Sequence, residues 1–154
     1  MAITKLNNKA VANITTLPVA LGDMVFISSQ TASNSASISF TTGIDSTYKE
    51  YQFWFIDIHA RTDNAHFQFN MSTDGGSSYN VTKTTTFFRT YHDEADTGTL
   101  LSYEGTFDFA QSTSFATITS QNGSGADESS AGSLTLFNPS STTYVKHFIS
   151  NNSL

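Results

Sequence analysis

Apolar residues recur at every second position through much of the chain beyond Asp23, and this alternation constrains the fold more than any other feature. A period of two is the pattern of a β-strand, because successive side chains point to opposite faces. The clearest case runs from Tyr51 to Ala60: one face carries Tyr51, Phe53 and Phe55, and the other carries Trp54, Ile56 and Ile58. Such a strand is either covered on both sides, or covered on one side and stacked on a neighbouring subunit. The alternative interpretation is that Trp54 and its neighbours belong to the chain's own core.

Other segments with the same alternation are also predicted to be strands. They are Met24–Thr31, Ser35–Thr42, Ala65–Ser72, Tyr79–Arg89, Ser102–Ala110, Thr113–Ser120, Ser133–Phe137 and Thr142–Ser150. A series of short strands separated by turns is typical of a sandwich, a jelly roll or a barrel. The sequence therefore predicts an all-β fold, specifically a jelly-roll-like antiparallel β-sandwich over residues 23–154. Residues 1–22 are weakly patterned and are predicted to form an N-terminal arm.

Composition supports the strand prediction and excludes several functions. The chain has 13 Phe, 6 Tyr and 1 Trp, the aromatic residues that pleated strands favour. Its net charge is −6, and its 7 basic residues are scattered singly, so binding to a run of phosphates is disfavoured and no nucleic-acid partner is predicted. The absence of cysteine excludes disulfides and Cys-based zinc sites. No apolar run reaches the length of about 18 residues that a membrane span needs, so no membrane insertion is predicted.

A hairpin turn is predicted at Asp74, Gly75 and Gly76, because glycine tolerates positive φ without a steric cost. The surrounding stretch from Ser72 to Tyr79 resembles the Asp-box of sialidases, which in those proteins is a structural hairpin remote from catalysis. A single copy of this motif indicates a well-formed turn between two strands.

The loop from Tyr91 to Leu100 holds the densest group of metal-ligand side chains in the chain. Asp93, Glu94 and Asp96 follow His92 there, and closely spaced oxygen donors can hold calcium. Their spacing does not fit an EF-hand, and a solvated acidic loop explains the cluster equally well.

A second candidate cluster comprises Asp57, His59 and His66. Asp57 and His59 are two residues apart on one strand face and His66 begins the next strand, so the three side chains could converge on a transition metal. Hydrogen-bonded structural histidines are the alternative. No cofactor is predicted.

The sequence offers no catalytic residues. The Gly-x-Ser-x-Gly motif of hydrolases is absent, and most aspartates lie at turns, where they cap their own backbone. We therefore predict that the protein is not an enzyme.

Several motifs together resemble a family of virion proteins from tailed phages, especially marine phages that infect cyanobacteria. These motifs are the Gly43–Tyr48 turn, the aromatic strand Tyr51–His59, the pair Thr62 and Asp63, the loop Tyr91–Asp96 and the segment Leu136–Thr143. The opening MAITKLNN is similar to the amino-terminal arm of phage fibre and appendage proteins. Members of the family usually continue with further strands beyond the segment that corresponds to His147–Ser150, so this chain is expected to be a short member or a portion of a longer one.

The resemblance implies a structural component of the virion, either a tail fibre or appendage, or a head fibre or capsid decoration protein. It supplies no catalytic residues. A strand that is apolar on both faces suits β-domains packed around a symmetry axis, so a homotrimer is predicted. The weakly patterned residues 1–22, which precede a compact β-region, are predicted to attach it to other virion proteins. The alternative from another class is a carbohydrate-binding module that contacts a host surface glycan through exposed aromatic rings. The candidate interface or glycan contacts are Trp54, Tyr79, Tyr91 and Tyr103.

Overall fold

The computed structural model describes residues 24–154, and the predicted arm of residues 1–22 lies outside the described part. The chain divides into two units, residues 1–31 and residues 32–154. The described part of the first unit, Met24–Thr31, contains no strand and its side chains are exposed, so the strand predicted there is wrong. All strands that the structure describes belong to the second unit.

The second unit is built from nine antiparallel strands. They are β1 (Glu50–Ile58), β2 (Ala65–Phe69), β3 (Lys83–Thr85), β4 (Phe88–His92), β5 (Thr99–Tyr103), β6 (Phe109–Ser112), β7 (Ala116–Asn122), β8 (Ser130–Phe137) and β9 (His147–Ser153). The described residues contain no helix, which confirms the predicted all-β class. Nor do they contain a helix long and apolar enough to cross a membrane.

The strands pair in a nested order. β1 pairs with β8, β2 with β7, β3 with β6, and β4 with β5, so each pair encloses the next along the chain. β9 extends the first pair by adding to the other side of β8, in an unbroken register from Phe137 opposite His147 to Ala131 opposite Ser153. The innermost pair, β4 and β5, is therefore a simple hairpin, while the outermost pair joins residues about 80 positions apart.

Aromatic contacts join the β1–β8–β9 sheet to the β2–β7 pair as two packed layers. The ring of Phe55 meets that of Phe67 edge to face, with centroids 4.9 Å apart, and Phe69 meets Phe148 at the same distance. Ile118, Leu134 and Leu136 form the buried centre of the same cluster. This is the two-layer packing of a sandwich, with inward-facing side chains from both sheets interdigitated.

The core is thin for a chain of this size. The buried hydrophobic residues of the described part are Tyr51, Ala116, Ile118, Leu134 and Leu136, and no side chain in that part is less than 2% exposed. Many large apolar side chains are instead left on the surface, which is unusual for a monomer when they lie side by side.

A bulge interrupts β1 between Phe55 and Ile58, where the register with β8 shifts. Asp57 has a φ of 54° at this point, in the left-handed region. The extra residue rotates the strand end, so Ile58 is half-buried although Trp54 and Ile56 are exposed. The strict alternation predicted for the whole of Tyr51–Ala60 therefore holds only as far as Ile56.

Other strands begin or end at residues different from those predicted. Alternation is a property of a single segment, whereas a segment forms a strand only when a neighbouring strand pairs with it. Ser35–Thr42 forms no strand, although the Phe40 ring contacts that of Phe53 at 5.8 Å. The predicted strand Thr142–Ser150 begins only at His147, and Tyr79–Arg89 contains β3 and only the first residues of β4. Ser and Thr at alternate positions have little apolar surface to bury, so they do not by themselves fix a strand.

Candidate interaction surfaces

The outer face of the β1–β8–β9 sheet carries a group of exposed apolar side chains. Register places Trp54 beside Ser133 and Asn151, and places Ile149 in the adjacent row. Trp54 is 62% exposed, Ile56 is 77% exposed and Ile149 is 65% exposed. We call Trp54, Ile56 and Ile149 the Trp54 face. Of the two interpretations of Trp54, packing in the chain's own core is thus wrong.

A second apolar group lies on one face of the β4–β5 hairpin. Phe88 is opposite Tyr103 and Leu101 is opposite Thr90, so these side chains are neighbours on the same face. The rings of Phe88 and Tyr103 meet edge to face at 5.3 Å. Phe88, Leu101 and Tyr103 are 67%, 77% and 49% exposed, and we call them the Leu101 face.

The Tyr103 hydroxyl donates a hydrogen bond to the Asp108 carboxylate. This hydrogen bond, together with partial desolvation and the negative charge of Asp108, raises the pKa of Tyr103. The phenol is therefore held neutral and oriented along the surface, with its ring free to contact a partner.

Tyr91 is exposed on the opposite face of the same hairpin, because it pairs with Leu100 rather than with Leu101. The guanidinium of Arg89 lies 5.8 Å from the centre of the Tyr91 ring. Arg89 also forms a salt bridge of 3.1 Å with Glu104. Tyr91 thus lies on a charged surface, and its ring already contacts the Arg89 side chain of the same chain.

Tyr79, which was predicted among the exposed aromatic contacts, is half-buried. Its hydroxyl is buried, and it has no hydrogen-bond partner among the residues that the structure describes. The four predicted aromatic contacts are therefore distributed over four places: the Trp54 face, the two faces of the β4–β5 hairpin, and a partly buried turn.

The acidic loop is organised by its own hydrogen bonds. Asp93 accepts from the Thr97 hydroxyl at 2.5 Å and from the Thr97 backbone N–H at 2.7 Å. Bonds from the Thr97 side chain and from the backbone of Gly98 and Thr97 lower the pKa of Asp93. His92 Nε2 contacts Asp96 Oδ1 at 2.8 Å. The carboxylates of Asp93 and Asp96 therefore bond to other residues of the hairpin turn that joins β4 to β5.

The second predicted cluster does not converge. His59 Nδ1 donates to the carbonyl oxygen of Glu128 at 2.6 Å, whereas His66 Nδ1 accepts from the backbone N–H of Gln121 at 3.4 Å. The His66 ring also packs against Phe107 at 5.1 Å. Across residues 24–154, no group of three or more His, Asp or Glu side chains is arranged to hold a metal ion.

Asp74 organises the predicted turn through its carboxylate. It accepts hydrogen bonds from the Ser72 hydroxyl at 2.5 Å and from the Ser78 backbone N–H at 2.9 Å, and Gly75 and Gly76 have φ of 72° and 89°. These bonds lower the pKa of Asp74 to about 2, with Ser72 the largest cause. The turn forms, but the predicted hairpin is wrong, because β2 and β3 on either side pair with β7 and β6 and not with each other.

Lys83 is a buried cation that sequence reasoning missed. The residue is 4% exposed, and its Nζ donates to Asn70 Oδ1 at 2.6 Å and to the Val81 carbonyl oxygen at 2.8 Å. Asn70 in turn donates to the carbonyl oxygens of Tyr79 and Thr113. Burial lowers the pKa of Lys83. Nothing in the Thr-rich segment around it signals burial, because Lys is ordinarily exposed.

Two cavities in the described part are shallow and polar. The larger, about 300 Å³, is at the low end for small-molecule sites, and Glu94, Asp127 and Glu128 are among its lining residues. The Glu128 carboxylate already accepts from the Gly125 backbone N–H at 2.5 Å. The smaller cavity, about 180 Å³, lies between Thr84 and Lys146. The two apolar faces are therefore stronger candidates for function than either cavity.

These features define an all-β sandwich with two separate apolar faces on its surface. Comparisons with protein-family models, with curated proteins and with solved structures find no match for this chain.

Proposed function

We propose that this protein is a non-enzymatic structural component of a phage virion, a tail fibre or appendage or a capsid decoration protein. In this proposal the β-sandwich assembles as a homotrimer, residues 1–22 attach it to other virion proteins, and its loops are exposed to the host. The observation that carries the proposal is the nested pairing of β1 with β8 through to β4 with β5.

Nested pairing supports a jelly roll. A jelly roll is formed when one long antiparallel ribbon, in which the first strand pairs with the eighth and the fourth with the fifth, wraps into two packed sheets. The contact between the β1–β8–β9 sheet and the β2–β7 pair, through Phe55 and Phe67, is the start of such wrapping. Jelly rolls are common in viral capsid proteins, and this fold-level analogy agrees with the motifs that resemble phage virion proteins.

The surface supports assembly. Trp54 and Leu101 are 62% and 77% exposed, and each shares its sheet face with other exposed apolar side chains, a feature that marks protein–protein contacts. A thin core and large exposed apolar side chains are expected of a subunit that is completed by its neighbours.

The test of the proposal is deletion of residues 2–22, with phage particles assembled in the presence of the truncated chain. We expect the truncated protein to keep its β-rich circular dichroism spectrum and to be missing from purified particles, as measured by mass spectrometry. Full-length protein added in parallel is the control. Normal incorporation of the truncated chain would contradict attachment through this segment.

Carbohydrate binding is the second candidate, favoured by the exposed rings of Tyr91 and Tyr103. These rings occupy opposite faces of one hairpin, which argues against a single stacking platform for a sugar. A titration of the full chain with host surface polysaccharide tests this candidate, with Tyr103→Ala as the variant that removes one ring. Binding that is lost in the variant would favour attachment to glycan, and absence of binding would favour assembly alone.

A further inference from the structure

The outer face of the β1–β8–β9 sheet combines one exposed indole ring with uncharged side chains that form hydrogen bonds. We propose that this outer face binds a neutral glycan, with a sugar ring stacked on Trp54 and the sugar hydroxyls bonded to the side chains around it. The inference selects Trp54 among the aromatic contacts predicted from the sequence. It goes beyond the proposed virion role and does not depend on it.

Strand register places these side chains next to one another. Trp54 is opposite Ser133, and Ser133 is opposite Asn151. The next row of the outer face contains Gln52, Thr135 and Ile149. These residues share one side of the sheet because the alternate residues, such as Leu134, face the core. Neighbouring strands are about 4.8 Å apart, so the three strands together span about 10 Å.

This mixture of groups matches the two kinds of surface that a sugar presents. One face of a pyranose ring carries C–H groups with weakly positive hydrogens, and the face of an indole ring is negative, so the two stack. The edge of the sugar carries hydroxyls, which both donate and accept, as do the amides of Gln52 and Asn151 and the hydroxyls of Ser133 and Thr135. An apolar partner would instead bury these polar groups without hydrogen bonds, at a cost in free energy.

The polar groups of the outer face keep capacity for further hydrogen bonds. Gln52 Nε2 donates to Glu50 Oε1 at 3.0 Å, which orients the amide and leaves its oxygen to accept from a ligand. The Ser150 hydroxyl donates to the carbonyl oxygen of Ser133 at 3.1 Å and not to its hydroxyl. The side chains of Gln52 and Asn151 are exposed. Because these groups are held by paired strands rather than by loops, their spacing is fixed before a ligand binds.

The size of the apolar surface favours a small ligand over a protein partner. Trp54, Ile56 and Ile149 are 62%, 77% and 65% exposed, which corresponds to about 400 Å² if a fully exposed side chain of this size has about 200 Å². Each partner in a stable protein interface buries roughly 800 Å², about twice as much. A sugar ring needs only one aromatic face to stack on, and Trp54 supplies it.

The charges of the sheet favour a neutral glycan over an acidic one. β1 contains the acidic residues Glu50 and Asp57, and neither β8 nor β9 contains Asp, Glu, Lys or Arg. The chain has a net charge of −6, so a glycan with carboxylate or sulfate groups is repelled. A neutral glycan meets no such repulsion, and the Glu50 carboxylate can accept from its hydroxyls.

The test uses the fluorescence of Trp54, which is the only tryptophan of the chain and therefore reports on this face alone. The full chain is titrated with the neutral polysaccharides dextran, mannan, galactan and laminarin, and with dextran sulfate as the charged counterpart of dextran. The emission spectrum and its quenching by acrylamide are recorded. Electrophoresis in gels that contain each polysaccharide measures binding independently, and circular dichroism checks that every variant is folded.

We expect a neutral polysaccharide of this set to shift the Trp54 emission to shorter wavelength and to reduce its quenching by acrylamide. The physical reason is that a stacked sugar ring shields the indole from water. Dextran sulfate should cause neither change.

Variants identify the groups that bind. Trp54→Ala should raise the dissociation constant in the gel assay at least about 30-fold, since it removes the central aromatic contact. Asn151→Ala, which keeps the fluorescent reporter, should raise it about 5-fold through the loss of one hydrogen bond. Tyr144→Ala, at an aromatic residue 72% exposed outside the sheet, and Tyr103→Ala are the controls and should bind as wild type does.

Three results would overturn the inference. The first is Trp54 emission that no neutral polysaccharide of the set changes. The second is binding that survives Trp54→Ala or is lost in Tyr103→Ala. The third is protection of Trp54 from acrylamide by higher protein concentration alone, which would identify the outer face as a subunit interface. The virion role is tested separately in particles, so a chain that binds glycan through Trp54 but enters no particle would contradict only that role.

Discussion

The ring of Phe55 on β1 meets the ring of Phe67 on β2 edge to face, 4.9 Å apart and at 87°. The two strands belong to different sheets, so this single contact joins the layers of the sandwich. Edge-to-face pairs of this geometry add about 0.5–1.5 kcal/mol beyond the area that they bury. The stability of the sandwich therefore depends on this contact and on similar contacts between its layers, such as that of Phe69 with Phe148.

Phe67→Ala should lower the free energy of unfolding by about 3 kcal/mol, the lower end of the range for this substitution because the side chain is only partly buried. Urea unfolding followed by tryptophan fluorescence measures the change. Phe26→Ala, at a phenylalanine 79% exposed, is the matched control and should change stability by less than about 0.5 kcal/mol. Equal losses in both variants would contradict packing of β1 on β2.

Gly132→Ala should destabilise the β8–β9 pairing. A methyl group at position 132 would lie 2.6 Å from the Cα of Asn152, closer than such atoms approach, and the obstacle is backbone that cannot simply rotate away. We expect a loss of about 1–3 kcal/mol and faster amide exchange along His147–Ser153. Gly105→Ala, where an added methyl group meets nothing within 4 Å, is the control. Unchanged exchange in β9 of the Gly132 variant would show that its register differs.

Asp74→Asn should weaken the turn in a pH-dependent way. The folded-state pKa of Asp74 is lowered to about 2, so the carboxylate stabilises the fold above its unfolded pKa of about 3.9, and this contribution is lost as pH falls toward 2. The difference in Tm between wild type and variant should therefore be largest near pH 6 and should narrow between about pH 4 and pH 2. Thr73→Ala, in the same turn, removes no titrating group, so its difference should not follow this curve. A difference in Tm between wild type and Asp74→Asn that stays constant from pH 6 to pH 2 would contradict the hydrogen bonds of the Asp74 carboxylate.

Lys83→Ala should cost about 2–4 kcal/mol, because it leaves a cavity and removes the Lys83 donor from the Val81 carbonyl oxygen and from Asn70 Oδ1, which keeps only the Met71 backbone N–H. Lys83→Met fills the volume without the cost of burying a charge, and it should be less destabilising. Equal losses in the two variants would mean that Lys83 contributes only hydrogen bonds.

The same lysine predicts a dependence on alkaline pH. Burial lowers the folded-state pKa of Lys83, so between that pKa and its unfolded value the unfolded chain binds more protons, and stability rises with pH. Wild type should therefore gain stability relative to Lys83→Met as pH is raised toward the unfolded-state value of about 10.5, as measured by urea unfolding at each pH. If wild type instead lost stability relative to Lys83→Met as pH rises, the result would contradict burial of the ammonium group.

Part of the fold could be predicted from local pattern. The two faces of β1 follow directly from the sequence, since Tyr51 is buried and Trp54 is exposed as their alternation requires. The turn at Asp74 is also evident from the sequence, because glycine adopts positive φ without a steric cost and Asp accepts hydrogen bonds from its own backbone. The strand predicted at Met24–Thr31 is wrong because alternation alone does not provide a partner strand. The sequence does not show that His59 and His66 lie apart, because each histidine bonds to the backbone of a distant segment. His66 accepts from Gln121 on β7, and His59 donates to Glu128 in the loop after β7.

Short alternating segments, sharp turns and few charges are enough to predict the class of structure, because they leave little else than an antiparallel β-fold. Tertiary structure alone decided which strands pair, that Lys83 is buried, and that Trp54 and Leu101 remain on the surface. The physical reason is that a period of two assigns side chains to faces but does not say which face another layer will cover. That depends on contacts between residues far apart in the chain, such as Phe55 with Phe67, which no local pattern encodes.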